Sequence, residues 1–421
     1  MAPLNGPAVG SLANSRGGRL RVALVTETYP PEINGVAMTV ARVVNGLVAR
    51  GHQVDLVRPR QGRADDPGQT AGLAQLLTVG LPIPRYPELK VGLPAGRRLE
   101  RRWRAERPDV VHIATEGPLG WSALRAARRL GVPVVSEFRT NFHAYSRHYG
   151  IGFLKRPILG YLRRFHNRTA CTMVPTAALA RDLEADGFER LRVVARGVDT
   201  QLFDPARRSS ALRASWGAGP GTLVAIGVGR LAPEKNLGLL AAAFGRIRAA
   251  RPDAKLVLVG DGPARGAMQA QCPDAVFAGR RLGEDLATHY ASADLLLFPS
   301  ITETFGNVTL EGMASGLGVV AFGYGAAGEV IRHGDNGWTV PYGDEAAFLH
   351  IAAAAAGEAL MLARIGVQAR QDVCRLGWDR IVGQIETHYT AAMESELAGS
   401  QAAVREMPRW APASRWNQTV S

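Results

Sequence analysis

A chain of 421 residues, 46% hydrophobic and 21% charged, has material for two domains with separate cores, and its 48 glycines and 25 prolines fit a soluble enzyme with many tight turns. Three scattered cysteines, Cys171, Cys272 and Cys374, exclude a disulfide framework and offer no metal-ligand spacing, which points to a reducing compartment. The net charge of +13 is lopsided: residues 1–203 carry 30 Lys+Arg against 16 Asp+Glu, and residues 204–421 carry 20 against 21, so the first half is expected to meet something anionic.

Residues 1–18 contain no apolar run of signal-peptide length and are expected to be flexible. No later run approaches a membrane span, so the cytoplasm is the expected location. A first domain is expected over 19–203. In it "RLRVALVTE", "HQVDLVRP", "DVVHIAT", "PVVSEFRT" and "CTMVPT" read as buried strands, with helical stretches such as 35–51 between them. At the start of that helix, Asn34-Gly35-Val36 would place backbone N–H groups near a phosphate. The segment 96–108 packs six arginines into a helix with Leu99 and Trp103 four residues apart. The stretch 147–170 mixes Arg and Lys with Ile, Phe, Leu and Tyr. Both suit a surface lying on anionic lipid, although a solvated arginine-rich face has the same composition. Glu116, just after a strand, is placed to bond an acceptor hydroxyl. After another strand, 137–150 gathers Arg139, Thr140, Asn141, His143 and Tyr145 where a crevice is expected. His143 suits a general acid or base, or a packed histidine.

The run 196–210 breaks the alternation and reads as the link to a second domain over 204–377. There "TLVAIGVGRL", "KLVLVGDGP", "ADLLLFPS", "GVVAFG" and "GWTVP" read as strands. Arg230 and Lys235 share a strand-to-helix loop and supply two cations for a diphosphate. Gly260 and Gly262, and the turn 278–281 with Arg280, either approach a flat base or simply make tight turns. In "TETFGNVTLEGMASG" (302–316), Glu303 falls in a loop and Glu311 inside the next helix. Phe305, Gly306, Asn307 and Val308 form the helix start, where unpaired N–H groups attract anions. Two carboxylates flanking a phosphate fit a sugar-nucleotide clamp better than the acid/base pair of a glycosidase. The alanine-rich stretch 344–366 is expected to be one helix, 378–399 a terminal helix, and 400–421 a loose tail. Strand–helix alternation in both halves implies an α/β protein of two doubly wound, Rossmann-like domains facing a central cleft.

The stretches "GRLAPEKN", "VGDGP" and "ETFGNVTLEGMASG" resemble the donor-binding half of retaining nucleotide-sugar glycosyltransferases of the GT-B fold. "ETYPPEINGVA" and "TEGPLG" resemble the branch with lipid-linked α-mannosyltransferases and sulfoquinovosyl- and glucosyl-diacylglycerol synthases. The resemblance spans roughly residues 20–395. It implies a hexosyltransferase using GDP-mannose or UDP-glucose and a lipid or glycolipid acceptor, peripheral at the inner face of the cell membrane. It implies further that Glu303 contacts the sugar hydroxyls, Glu311 the ribose, and Arg230 and Lys235 the diphosphate. Gly35 would approach from the other domain, and the terminal helix would cross back onto the first. No metal is expected, because the cations and helix termini offset the leaving-group charge. Many relatives carry a histidine where this chain has Arg139. Arg139 is then expected to donate to sugar or phosphate, and His143 to serve the acceptor. Two other classes account for part of these features. A glycosidase or phosphorylase explains the carboxylates; a non-catalytic protein bound to anionic membrane or nucleic acid explains the charge. Nucleic acid ranks last, since no recognised motif or aromatic sheet platform accompanies the arginines.

Overall fold

The computed structural model describes residues 18–139, apart from 33, 63, 64, 69, 84 and 85, and residues 155–405. The first domain holds strands β1 (Arg21–Val25), β2 (Gln53–Pro59), β3 (Leu73–Thr78), β4 (Gly80–Ile83), β5 (Tyr86–Gly92), β6 (Val110–Ile113), β7 (Val134–Glu137), β8 (Cys171–Val174) and β9 (Leu191–Val193). Its helices are α1 (Gly35–Ala49), α2 (Gly96–Ala105), α3 (Pro118–Arg129), α4 (Lys155–His166) and α5 (Ala177–Ala185). In the second domain the strands are β10 (Val224–Val228), β11 (Lys255–Val259), β12 (Val276–Gly279), β13 (Leu295–Phe298), β14 (Gly318–Phe322) and β15 (Trp338–Val340). They alternate with α6 (Ser210–Ser215), α7 (Leu237–Ala250), α8 (Arg265–Gln271), α9 (Gly283–Ala291), α10 (Asn307–Ala314), α11 (Gly325–Val330), α12 (Glu345–Gly357) and α13 (Ala359–Val373), and α14 (Trp378–Arg405) closes the described chain.

Each domain is built on one parallel sheet, ordered β3-β2-β1-β6-β7-β8-β9 and β12-β11-β10-β13-β14-β15, and β4-β5 form a separate antiparallel hairpin. The apolar runs that read as strands are buried on both faces: Val22 to Val25 and Val224 to Ile226 have no exposed surface. The strand order reverses between β1 and β6, and again between β10 and β13. In an open α/β sheet the crevice forms beyond the carboxyl ends of strands at such a reversal. The loops there begin at Thr26, Ala114, Gly229 and Pro299, where the sequence had gathered its polar and glycine residues.

The chain passes into the second domain near Val198, whose N–H donates to Leu376 O at 3.0 Å. Phe203 stacks edge-on against Tyr290 at 5.6 Å in that domain's core. Arg370 binds the carbonyls of Thr200, Phe203 and Ala314 and the Asp204 carboxylate. The terminal helix α14 then returns to the first domain. Its Ile381, Val382, Ile385 and Tyr389 share a core with Val40, Val44 and Leu47 of α1 and with Val22 and Leu24 of β1. The crossing needs a small residue: a Cβ at Gly46 would sit 2.6 Å from Val382 Cγ2.

Two sequence expectations need correction. The stretch 344–366 is not one helix; α12 and α13 meet at a bend of 103°, with Glu358 in an extended conformation between them. The alanines seat Phe348, Ala352 and Ala355 against α7 and the sheet, while Leu362 and Ile365 of α13 extend the same core, and one straight rod could not cover it. The second correction concerns 96–108. Leu99 and Trp103 are 0% and 1% exposed, packed inward against α3 and β6, so the apolar stripe of α2 faces the core and not lipid. Arg102, half-buried, donates from Nε and Nη2 to the two Asp55 carboxylate oxygens, each at 2.8 Å.

Candidate active site

The second-domain half of the cleft is assembled from three strand ends. After β10, Gly229 adopts φ +139°, and the short turn Pro233–Lys235 carries Lys235 back across it, with the lysine Cε 3.8 Å from where a Gly229 Cβ would stand. Lys235 forms an ion pair with Glu303 Oε1, which also accepts from Ser300 Oγ at 2.7 Å. Its ammonium lies 5.8 Å from the Phe298 ring centroid. Arg230, from the same loop, reaches toward solvent, with Glu234 4.0 Å away. Gly260 and Gly262 follow β11 with φ of +136° and +158°, and a Cβ at either would lie 1.8 Å from Gly229 O or 2.4 Å from Leu231 O. Backbone contact with the β10 loop therefore already demands glycine at both positions, and a flat base is not needed to explain them. Gly279 ends β12 with φ +72°, and the next residue, Arg280, is exposed.

Gly306 provides the turn into α10. It is left-handed at φ +93°, and the first N–H groups of the helix it starts, those of Asn307 and Val308, have no capping side chain. The Asn307 Oδ1 is buried without a hydrogen-bond partner among the described residues. Phe305 is 1% exposed and packed into the second domain's core with Phe298, Leu310 and Ala326, which corrects its expected place among the donor-facing residues. One turn further, Glu311 accepts from Tyr290 Oη at 2.9 Å. Burial pushes its carboxyl up to about 6, against the Tyr290 bond that pulls it down. The two glutamates thus have unlike surroundings: Glu303 is matched to a cation and Glu311 sits in an apolar wall.

On the first-domain side, α1 is capped: Asn34 Oδ1 accepts from Val36 N at 2.9 Å and Ala37 N at 2.8 Å. This corrects the expectation that Val36 N–H would be offered to a phosphate. Gly35 remains exposed, with no atom within 4 Å of where its Cβ would be, so the backbone is open to close approach there. The loop before it is braced by Thr28 Oγ1 donating to Glu32 Oε1 at 2.6 Å.

Arg139 ends the β7 segment at 6% exposure, in contact with Glu137 Oε2, and Thr304 Oγ1 donates to its carbonyl across the cleft at 3.4 Å. Among the described residues its Nε and Nη1 have no hydrogen-bond partner, which leaves donors for a substrate oxygen or for the loop that follows. Glu137 Oε1 lies 2.8 Å from His112 Nε2, and His112 Nδ1 lies 2.7 Å from Tyr389 Oη of α14. Burial would raise the Glu137 carboxyl, but Arg139 and His112 outweigh it and hold it well below the usual range. Thr140, Asn141, His143 and Tyr145 lie outside the described residues.

Two groups at the cleft were not singled out from sequence. Arg196, four residues upstream of Thr200 in the linker, lies with its guanidinium 5.7 Å from the Phe305 ring centroid. Burial and the neighbouring Arg139 lower it to about 9, offset by Glu137 and Glu303. Its sequence signal is an arginine at the end of the last first-domain strand, which gains meaning only when the domains face each other. Glu27, just past β1, accepts from Leu119 N at 3.1 Å at the start of α3. Burial, partly relieved by that bond, raises it to about 7. Beside it is Glu116, whose carbonyl accepts from Tyr161 Oη at 2.7 Å.

Residues 33–202 match the Glycosyltransferase Family 4 model and residues 222–356 the Glycosyl transferases group 1 model. The chain is 35% identical over 377 residues to a GDP-mannose-dependent alpha-mannosyltransferase of Mycobacterium tuberculosis, covering 88% of this chain and 97% of that protein. This protein belongs to the family 4/group 1 glycosyltransferases. The glycosyltransferase is also 31% identical over 345 residues to the sulfoquinovosyl transferase SQD2 of Arabidopsis thaliana, covering 80% of this chain and 65% of that one. Among solved structures it is similar to the sucrose-phosphate synthase of Thermosynechococcus elongatus, with a TM-score of 0.75 at 19% identity, covering 90% of this chain and all of that one. That likeness shows the fold: two Rossmann-like domains in the GT-B arrangement.

Proposed function

We propose that this glycosyltransferase moves mannose from GDP-mannose to a lipid or glycolipid acceptor, with retention at the anomeric carbon and without a metal ion, while seated on the inner face of the cell membrane. The observation that carries the donor half is the Lys235–Glu303 pair beside the uncapped start of α10, at the β10/β13 reversal. Three relatives at 31 to 35% identity are described as GDP-mannose-dependent, which favours that donor over UDP-glucose.

In this account the diphosphate rests on Arg230, Lys235 and the N–H groups of α10, with Gly35 approaching from across the cleft. Glu303 receives sugar hydroxyls and Glu311 the ribose hydroxyls. The acceptor hydroxyl enters from the Glu116 side. Its oxygen bonds to the anomeric carbon as the bond to the diphosphate breaks, and its proton passes to a leaving phosphate oxygen. Lys235, Arg230, Arg196 and Arg139 offset the charge that develops there, the contribution otherwise made by a cation. A glycosidase would need one carboxyl free to protonate a leaving group and a second facing it across the bond. Glu303 is instead tied to Lys235 and Ser300, and Glu311 to Tyr290.

The test is transfer of labelled sugar from GDP-mannose and from UDP-glucose into a lipid extract, with and without EDTA. The expected result is incorporation from GDP-mannose that EDTA leaves unchanged, falling ~100-fold or more in Glu303→Ala and in Lys235→Ala while both variants still melt cooperatively. Near-normal turnover in either variant would refute the clamp. Incorporation from UDP-glucose alone would overturn the choice of donor.

A further inference from the structure

Burial of the α2 stripe leaves that helix's own arginines at the surface, and a second set of cations surrounds a groove of about 610 Å³ between α3 and α4, lined also by Pro94 and Pro118. On α3 it is lined by Trp121, Arg125 and Arg128, whose spacing places them on one helix face; on the other side it is lined by Tyr161 and Arg164 of α4 and by Arg168, just past the end of that helix. Arg125 and Arg168 both lie over the Trp121 ring, at 5.6 and 5.9 Å from its centroid. Trp121 in turn packs edge-on against Phe165 at 5.3 Å and beside Tyr161 at 5.8 Å. The indole therefore forms a fixed floor that holds two guanidinium groups toward the same space.

Among the described residues, no acidic side chain lines the groove and none of these four arginines has a carboxylate partner. Other first-domain arginines are neutralised: Arg58 by Asp65, Arg102 by Asp55, and the exposed Arg129 by Glu100. Four unneutralised cations around one concavity repel each other and favour an anion of high charge density, with guanidinium geometry suited to phosphate oxygens. Glu116 and Glu27 come near it at Tyr161: burial, and then these two carboxylates, push the Tyr161 phenol up to about 12, and Tyr161 Oη donates to the Glu116 carbonyl. The Tyr161 side of the groove thus adjoins Glu116, where the acceptor is proposed to enter.

We infer that this groove binds the phosphate of an anionic phospholipid headgroup, seating the first domain on the bilayer with the acceptor site at the lipid surface; the inference rests on the lipid-acceptor proposal for its purpose but not for its chemistry. The source of that phosphate is a lipid surface because an indole and a 42%-exposed tyrosine flank the cations, the pairing that settles at a headgroup boundary. A small soluble phosphate would use the arginines and leave the aromatic floor without a role.

The experiment is co-sedimentation of the full chain with vesicles of phosphatidylcholine alone and of phosphatidylcholine mixed equally with phosphatidylglycerol. Wild type is expected to bind only the mixed vesicles. Arg125→Gln with Arg168→Gln should weaken that binding by roughly thirtyfold, the effect of two cations at an anionic surface. Trp121→Ala should weaken it without any change of charge. Arg246→Gln with Arg248→Gln removes the same charge from the second domain and should leave binding intact. Equal losses in the two charge-matched pairs, or equal binding to both vesicle types, would overturn the inference. Inorganic phosphate at millimolar concentration should not displace the protein from vesicles; full displacement would assign the groove to a soluble anion instead. Thermal stabilisation by GDP is measured on the same preparations. Vesicle binding through Arg125 and Arg168 without any nucleotide response would leave this site standing and remove the transferase proposal. A nucleotide response without groove-dependent vesicle binding would do the reverse.

Discussion

Glu303 and Glu311 have the same side chain and lie on one loop and helix, yet the fold gives them opposite electrostatics. Glu303 is held by a lysine and a serine, whereas Glu311 lies on an apolar wall with only the Tyr290 hydroxyl, which brings its pKa to about 6. Between the ordinary carboxylate value and about 6, the folded chain holds a proton that the unfolded chain has lost, so this group's contribution to stability falls as pH rises through that window. Ribose hydroxyls donating to Glu311 favour its ionised form, so nucleotide binding should act the other way. Affinity for GDP is expected to rise several-fold from pH 5 to pH 7, and calorimetric titration in two buffers should show proton release near pH 6. In Glu311→Gln the affinity should be low and flat with pH. A pH dependence that persists in that variant would assign the titration to another group.

At the scale of elements, α2 shows why part of the molecule was not legible in its sequence. Leu99 and Trp103, four residues apart among arginines, make an amphipathic stripe that looks the same whether its apolar side meets lipid or the protein interior. Only the neighbouring α3 and β6 decide, and they bury both residues. Leu99→Ala is accordingly expected to destabilise the fold by about 2–5 kcal/mol and to leave vesicle binding per folded molecule unchanged. Loss of vesicle binding without loss of stability would contradict this placement. The strands that the sequence did reveal are the central ones, buried on both faces and therefore continuous apolar runs, together with the edge strand β15, whose Trp338 and Val340 are buried. The ones it concealed are the edge strands β3, β9 and β12, where one flank is solvated and the apolar run breaks up, and the separate hairpin β4-β5. The donor loop was legible for a different reason. Gly306, Glu303 and Lys235 act through local backbone geometry and charge, which sequence records directly. Arg196 and Glu27 gain their settings from chain far away, and nothing in their immediate neighbours announces it.

The whole molecule is tied together by α14, which starts beside the second domain and sets Ile381 to Ala392 into the core of the first. Tyr389 brings its hydroxyl to His112, His112 faces Glu137, and Glu137 holds Arg139 at the cleft, so the returning helix supports the floor on which the acceptor half is built. Tyr389→Phe removes only the oxygen next to His112. It should cost about 1–3 kcal/mol and reduce transfer more than nucleotide affinity, measured as a fall in kcat with little change in donor KM. Across the cleft itself the described residues make polar contacts. Glu329 accepts from Ala177 N at 2.8 Å at the start of α5, and Thr304 meets the Arg139 carbonyl. Such an interface can open and close around a donor without breaking a core. The proposed donor site, by contrast, lies mainly on the second domain, with Gly35 approaching from the first, and nucleotide binding is the event every later step depends on. The decisive measurement is therefore the shift in melting temperature produced by GDP, UDP and ADP, with Glu311→Ala as the paired control. The account predicts stabilisation by GDP above the other two, lost in the variant. A cooperatively folded protein that responds to none of the three would contradict it.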